Sequence, residues 1–309
     1  MKTFSIVIPY YNRAQTLPRT LSSIAAQTFR PIQLILVDNG STDQSYKICQ
    51  EFKEKHQSCD LTIITTNESL QGAATARNTG LQRVTGEWVV FFDSDDEMSP
   101  TFLSDVQEAF ERTKANVVAT STYMIFPNGK KKKRVVYHTK SVADQILTGM
   151  LATQGMCFQT EYLKKLGGWH PVPIWNDWLL GINLLLDNPK LTWLPQSYHY
   201  IHQHPNSITG RSFSENYEKL KYTLSETEKI LTEAPNIGKR EMAAFTARKV
   251  ILAGQLYREG NFKIARQLFL ESIMNKRKEL KGIICRFLFT YTRLGGRGAW
   301  WLARLLLPQ

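Results

Sequence analysis

"WVVFFDSDDEMSP", Trp88 to Pro100, runs five apolar side chains together and then sets three carboxylates, Asp93, Asp95 and Asp96, within four positions. Carboxylates this close repel one another unless something positive lies among them. "EWVVFFD" reads as a strand, bounded below by Gly86 and above by the acidic cluster. Working outward, "FSIVIP", "IQLILVD" and "LTIITT" read as three earlier strands. Between them, "AQTLPRTLSSIAAQ" places Leu17, Leu21 and Ile24 at helical spacing, and "STDQSYKICQEFKEKH" reads as a helix begun by a Ser or Thr cap. "AATARNTGLQRV" is a short helix before the fourth strand, and Ser99-Pro100 predicts an N-cap followed by proline at the first helical position. Strands alternating with helices in this way predict βαβ units and a mostly parallel sheet.

In an open parallel sheet, ligands bind beyond the carboxyl ends of the strands, so Asp38 and Asp93 are expected to share one crevice. Two readings of Asp93-x-Asp95 are open. The pair can offer oxygens to a hard divalent cation, Mg²⁺ or Mn²⁺, that also holds substrate phosphates; alternatively it forms an Asp-rich turn that caps the next helix.

The composition narrows the class. With 309 residues, 42% of them hydrophobic and 21% charged, the chain can bury a substantial core. Its formal charge of +12 is concentrated at the end, where residues 276–309 carry eight Lys and Arg against Glu279 alone. That segment supplies +7 and leaves +5 for the rest, so the body is only mildly basic. In "FPNGKKKKRVVY" the Asn128-Gly129 pair signals a two-residue hairpin whose return strand begins with the lysines. No aromatic platform is interleaved there, so a solvated hairpin or an acceptor-side anion contact is preferred and no nucleic-acid partner is expected. Cys49, Cys59, Cys157 and Cys285 are scattered without a C-x-x-C pair, which fits a reducing cytosol. The first apolar run, broken by Pro9, is too short for a signal-peptide core or a spanning helix, and no other segment reaches spanning length.

Four motifs in order, "SIVIPYYNRAQTLPRTLSSIAAQTF", "LILVDNGSTD", "AATARNTGL" and "GEWVVFFDSDDEMSP", resemble the family 2 glycosyltransferases over roughly residues 3–210. The resemblance implies an α/β, Rossmann-like GT-A fold over residues 1–210 and inverting transfer from a nucleotide-diphosphate sugar. Of the nucleotides the family uses, UDP is the first expectation. It implies that Pro9, Tyr11, Asn12, Asp38, Arg77 and Asp93 surround the nucleotide, and that Asp93 and Asp95 hold Mn²⁺ or Mg²⁺, with Asp95 the more direct ligand. Asn39 stands where the family very often has a second Asp. "LKKLGGWHPVPIWNDWLL" is similar to the family's Gly-Gly-aromatic turn and following helix, which implies Asp177 as the base; Asn176 stands where many relatives carry Glu. Trp175 and Trp178 flank Asp177 as a sugar platform or as core. "SYHYIHQHPNSITG" resembles the segment closing over the diphosphate, implying that His204 ligands the metal or contacts phosphate; His202 stands where relatives commonly show Arg.

Beyond residue 210 strand signals stop. Residues 211–275 read as an accessory helical region, in which "LAGQLYREGNFKIARQLFLESI" resembles a single tetratricopeptide-like hairpin turning at Gly260-Asn261. Residues 276–309 mix Arg with Phe, Trp and Leu, which suits either a segment lying on an anionic membrane surface or a helix docked on the body; Gly295, Gly296 and Gly298 interrupt it. The expected function is metal-dependent hexosyl transfer to a glycan or lipid-linked acceptor in surface polysaccharide assembly, in the cytoplasm or on the inner face of the plasma membrane. A non-catalytic sugar-nucleotide-binding scaffold is the alternative, and Asp93, Asp95 and Asp177 argue against it. A nucleotidyltransferase would need a Gly-rich opening loop, which "VIPYYNRAQT" lacks.

Overall fold

The computed structural model describes residues 2–134, 141–151, 153–203, 212–274, 280–296, 298–305 and 307. The chain divides into two compact units, residues 1–138 with 151–205, and residues 139–150 with 206–309.

The first unit opens with β1 (Phe4–Tyr10), α1 (Leu17–Ala25), β2 (Ile32–Asp38), α2 (Ser45–His56), β3 (Leu61–Asn67), α3 (Ala73–Leu81) and β4 (Trp88–Phe91). The first three strands and β4 pair in parallel, in the order β3-β2-β1-β4. The apolar residues of β1 and β2 are buried on both faces, which is why these strands read as nearly continuous apolar runs rather than alternating ones. Tyr10, Asp38 and Asn67 align across three strands, so these strands end at a common edge. Helix α3 lies tight against the sheet: a Cβ on Gly80 would stand 2.3 Å from Val7 Cγ1, so only glycine permits this approach.

The acidic loop follows β4 and leads into β5 (Glu97–Met98), α4 (Phe102–Thr113), β6 (Val117–Ile125) and β7 (Lys131–Arg134). After α5 (Val142–Thr148), which belongs to the second unit, come β8 (Met156–Gln159), α6 (Thr160–Lys165), α7 (Asn176–Leu186) and β9 (Leu191–His202). Strand β8 is antiparallel to both β4 and β6, which returns β6 to the direction of β1 and β4; β9 pairs with β6 in parallel. The short β5 and β7 pair antiparallel with β9 and β6.

Three local expectations are corrected. Helix α2 has no Ser or Thr cap: its N-cap position is Gln44, and the amide of its first residue, Ser45, donates instead to the Asp43 carboxylate at 2.9 Å, a strong acceptor at a helix N-terminus. Helix α4 starts at Phe102 rather than at Pro100, with Ser99 and Pro100 forming a turn ahead of it. The hairpin between β6 and β7 has a three-residue loop, Pro127 to Gly129, closed by the Phe126 amide donating to the Lys130 carbonyl at 2.9 Å. Gly129 takes φ +77°, the left-handed position such a loop requires after its turn.

The second unit is helical: α5 with α8 (Tyr217–Glu233), α9 (Lys239–Arg258), α10 (Phe262–Ile273), α11 (Leu280–Arg293) and α12 (Ala299–Leu305). The turn between α9 and α10 falls at Gly260 and Asn261, and the glycines at 295, 296 and 298 separate α11 from α12, as read from the sequence. Among the described residues no helix is long and apolar enough to cross a membrane.

Candidate active site

Past β4 the chain turns sharply, and α1 holds the turn by its backbone. Thr16 Oγ1 donates to the Ser94 carbonyl at 3.0 Å, Arg19 Nη2 to Asp95 at 2.6 Å and Thr20 Oγ1 to Asp96 at 2.7 Å. Positions 16, 19 and 20 lie on one face of a helix, so a single element fixes three consecutive carbonyls. With the backbone held, one oxygen each from Asp93, Asp95 and Asp96 lies within 4.8 Å of the others.

The negative charge is partly answered by the protein. Arg77 Nη2 donates to Asp93 at 2.8 Å, Arg13 Nε stands 3.7 Å from Asp95 Oδ2, and Asp96 Oδ1 accepts from the His202 amide at 3.1 Å. Burial raises the pKa of Asp93 against the opposing pull of Arg77, and burial together with the charges of Asp93 and Asp95 raises that of Asp96 well above the usual carboxylate range. The donor set is entirely oxygen, which fits hard divalent ions such as Mg²⁺ or Mn²⁺.

Arg77 connects this cluster to the next element. It lies on α3, is 7% exposed in its side chain, and its Nη1 donates to Asn176 Oδ1 at 3.1 Å, at the first position of α7. The guanidinium lies 4.5 Å from the Trp169 ring centroid. Trp169 is held in turn by Asn78, whose amide donates to its carbonyl at 2.7 Å and accepts from its N–H at 2.9 Å. The preceding Gly168 has φ +71°, and a Cβ there would meet Asn78 Oδ1 at 2.7 Å. The Gly-Gly-Trp turn is thus the device that docks Trp169 beneath Arg77.

Helix α7 begins from a strained residue. Trp175 has φ +56°, an outlier for a bulky side chain and a kind of strain that gathers at functional sites. Asp177 follows in the first turn, half-buried, accepting from the Trp178 amide at 2.8 Å, and the Trp175 and Trp178 rings meet edge-on at 5.4 Å. Trp178 is buried core, whereas Trp175 is half-buried. The Asp177 charge is near enough to contribute to raising the pKa of Asp93. Asp93, Arg77, Asn176 and Asp177 therefore belong to one constellation.

On the other side of the same sheet edge, Asp38 ends β2 and accepts from the Ser41 amide at 2.9 Å. Asn12, at φ +50°, receives the Thr42 amide at 2.8 Å, and its own N–H donates to Ser41 Oγ at 3.1 Å. These bonds tie the loops after β1 and β2 together. Tyr11 stands 46% exposed between Asn12 and Tyr10, and Pro9 pairs in register with Val37. Asn39 turns inward: its Nδ2 donates to the carbonyls of Glu68 (3.0 Å) and Leu70 (2.9 Å), and its Oδ1 accepts from Gly72 at 2.8 Å.

The histidines separate. His202 Nε2 meets Glu97 Oε2 at 2.6 Å, next to the acidic loop. His199 is buried between Phe92 and Phe102, and burial lowers its pKa to about 3, so it is a neutral core residue. His204 lies outside the described residues. Sequence reasoning passed over Thr16, Arg19, Thr20 and Asn78, and it read Trp169 only as the aromatic of the Gly-Gly turn. The hydroxyl-bearing face of α1 was a usable signal; nothing in the sequence pairs Asn78 with a residue 91 positions away.

Comparison with known proteins gives these features a context. A profile of Glycosyl transferase family 2 matches residues 5–175, ending two residues short of Asp177. A glucosyltransferase of Escherichia coli named UDP-Glc:alpha-D-GlcNAc-diphosphoundecaprenol beta-1,3-glucosyltransferase WfaP is 29% identical over 221 residues, covering 70% of this chain and 83% of that protein. Glycosyltransferase GlyA of Streptococcus pneumoniae is 33% identical over 119 residues, 38% of this chain but only 16% of GlyA. Among solved structures, S. aureus TarS 1–349 in complex with UDP-GlcNAc superposes with a TM-score of 0.67 at 19% identity, covering 99% of this chain and 91% of TarS 1–349. Mannosyltransferase PcManGT from Pyrobaculum calidifontis, in complex with GDP-Man and Mn²⁺, gives 0.61 at 16% identity, covering 98% of this chain and 86% of that one. The structural likenesses establish a GT-A fold, and the profile, spanning more than half of the 309 residues, establishes the family: the chain belongs to glycosyltransferase family 2.

Proposed function

We propose that the protein transfers a sugar, with inversion, from a nucleotide-diphosphate sugar to a hydroxyl of a glycan or lipid-linked acceptor in surface polysaccharide assembly at the cytoplasmic face of a membrane. The observation that carries this reading is the linkage Asp93–Arg77–Asn176: one buried guanidinium joins the acidic loop to the start of the helix that bears Asp177. Pro9, Tyr11, Asn12 and Asp38 form the nucleoside side, with the Asp38 carboxylate as acceptor for a base N–H. Asp95 and Asp93 would hold Mn²⁺ or Mg²⁺, and Asp96 orients the loop; His204, outside the described residues, would join them on the family resemblance alone. Such an ion would supply positive charge against the departing diphosphate. Arg77 serves the nucleotide side through the carboxylate that it holds in place.

Asp177 takes the proton from the acceptor hydroxyl as that oxygen attacks the anomeric carbon. Its place in the first turn of α7, near Asp93 and beside the half-buried Trp175, supports this role. UDP is the favoured nucleotide, supported by the UDP-GlcNAc complex of TarS and the UDP-Glc donor in the name of WfaP. WfaP's name also describes a diphosphoundecaprenol-linked acceptor, which supports a lipid-linked acceptor here.

Calorimetry with UDP, GDP and dTDP sugars, each with Mn²⁺ and with EDTA, tests the donor side. Metal-dependent tightening for one nucleotide, lost in Asp95→Ala, is expected; the absence of binding under every condition would favour the scaffold reading. Asp177→Asn should lower transfer by about 10²–10⁴-fold, the usual contribution of a general base, with donor affinity unchanged. Unaltered turnover would remove Asp177 as the base.

A further inference from the structure

Helix α11 carries apolar residues on two opposite faces. Cys285, Leu288 and Thr292 are buried, and Thr292 packs closely on α9, where a Cβ at Gly254 would stand 2.6 Å from the Thr292 Cβ. On the other side Ile283 is 58% and Phe287 56% exposed, and Leu294, just past the helix end, is 78% exposed. Spacings of four and seven residues keep these three on one line of a helix. The close contact at Gly254 prevents α11 from rotating to bury them. Nearby in sequence, Trp301 on α12 is 52% exposed, and α12 is anchored by an ion pair at 2.9 Å between Arg304 and the buried Asp144 of α5.

A line of large exposed side chains marks a docking surface, and the charge of the segment that carries it says for what. Residues 276–309 carry +7. A second copy of the chain would bring the same patch, with the same +7, face to face with itself, since a two-fold interface pairs like with like. An anionic lipid leaflet complements both properties, taking the apolar line into the headgroup boundary while its negative charge attracts a segment whose sequence carries +7. We propose that α11 and α12 form a membrane-docking face, with Ile283, Phe287, Leu294 and Trp301 inserting into the interface of an anionic bilayer. This proposal is independent of the transfer chemistry and stands on the second unit alone.

Cosedimentation of the full chain with vesicles decides it. Vesicles containing phosphatidylglycerol should bind the protein, pure phosphatidylcholine should bind it weakly, and raised salt should release it. Ile283→Glu with Phe287→Glu should lower partitioning at least about tenfold, since two inserted side chains are lost and two negative charges then face the anionic leaflet. Phe287→Ser, with no added charge, should give a smaller loss in the same direction. Both positions are more than half exposed, so thermal unfolding should be unchanged and serves as the folding control. Wild-type indole fluorescence should shift to the blue on anionic vesicles, with part of that shift missing in Trp301→Phe. Equal partitioning of variants and wild type would overturn the proposal. So would a concentration-dependent dimer that Phe287→Ser dissolves while no vesicle binding is detected.

Discussion

Replacing Asn39 with Asp, the residue that family members very often carry there, is expected to destabilise this protein. Asn39 is 7% exposed, and its amide gives two hydrogens to the carbonyls of Glu68 and Leu70 while taking one from Gly72. These bonds tie the end of β2 to the loop that starts α3. A carboxylate has nothing to donate, so both carbonyls would lose their partner and face a negative oxygen. Each lost hydrogen bond removes about 0.5–1.5 kcal/mol, and an unsatisfied buried carbonyl adds to the loss. The bond from Gly72 becomes charge-assisted and returns part of it, roughly 1 kcal/mol. The net loss is about 2–3 kcal/mol near pH 8, or about 5–10 °C in Tm for a unit of this size. The sign of its pH dependence follows from the same bonds. Protonation supplies one donor, so the folded state raises the pKa of the new Asp above its unfolded value and binds more protons than the unfolded chain. Stability of the variant relative to wild type therefore falls as pH rises through that range and partly recovers in acid. Calorimetric unfolding near pH 8 and near pH 5, with Asn39→Ala as an uncharged comparison, measures both quantities. A variant within about 1 °C of wild type near pH 8, or a deficit that shrinks with rising pH, would refute the assignment of these bonds.

Three further outcomes are expected. Arg77→Met should destabilise by about 2–3 kcal/mol in urea unfolding, below the usual value for breaking a buried pair because Asp93 is 28% exposed, and Mn²⁺ should restore part of the loss; a change under about 0.5 kcal/mol would refute the pairing. His199, with its pKa lowered from 6.5 to about 3, binds a proton in the unfolded chain first, so its contribution is full above pH 6.5 and is lost as pH falls toward 3. Its limiting slope is about 1.4 kcal/mol per pH unit, and His199→Leu should remove one proton from the acid-unfolding stoichiometry; identical proton uptake would count against a neutral core histidine. Gly168→Ala should cost about 1–3 kcal/mol, from φ +71° and the overlap with Asn78, and should loosen Trp169 enough to raise its fluorescence quenching by iodide; no change in quenching would mean that the turn does not hold the indole.

The fold was legible where one force dominates. Strands covered on both faces carry nearly continuous apolar runs, interrupted in β1 and β2 only by Ser5 and Gln33 before their ends, and β2 begins and ends at the residues read from the sequence, Ile32 and Asp38. Boundaries slipped where several weak acceptors compete. Ser41, Thr42 and Asp43 all precede α2, and the sequence does not say that Ser41 is committed to Asn12 and Asp38, leaving Asp43 to hold the first turn. At the hairpin, Asn-Gly is compatible with a two-residue turn, yet the pairing of Ile125 with Lys131 leaves five residues between them and makes the glycine the last of a three-residue loop. Register set by β6 on its partners overrode the local signal.

The candidate site divides along the same line. Carboxylates at strand ends are visible because their positions follow from the βα alternation, so Asp38, Asp93 and Asp95 could be anticipated from it, whereas Asp177, in the first turn of α7, was implied by the resemblance of the Gly-Gly-aromatic turn to the family's. What holds them could not. Arg77 reads as a nucleotide contact in the sequence, yet in the structure both ends of its guanidinium fork are taken by Asp93 and Asn176, 16 and 99 residues away, over a tryptophan docked by Asn78. The departures at positions 39 and 176 acquire a physical sense here. Each places an amide where it makes bonds within the protein: Asn39 donates twice to backbone, and Asn176 accepts from a guanidinium already paired with Asp93. A second carboxylate at 176 would compete with Asp93 for the same cation and draw Arg77 away from the acidic loop. With a neutral amide there, Arg77 stays on Asp93, and Asp177 is left as the one carboxylate in the first turn of α7.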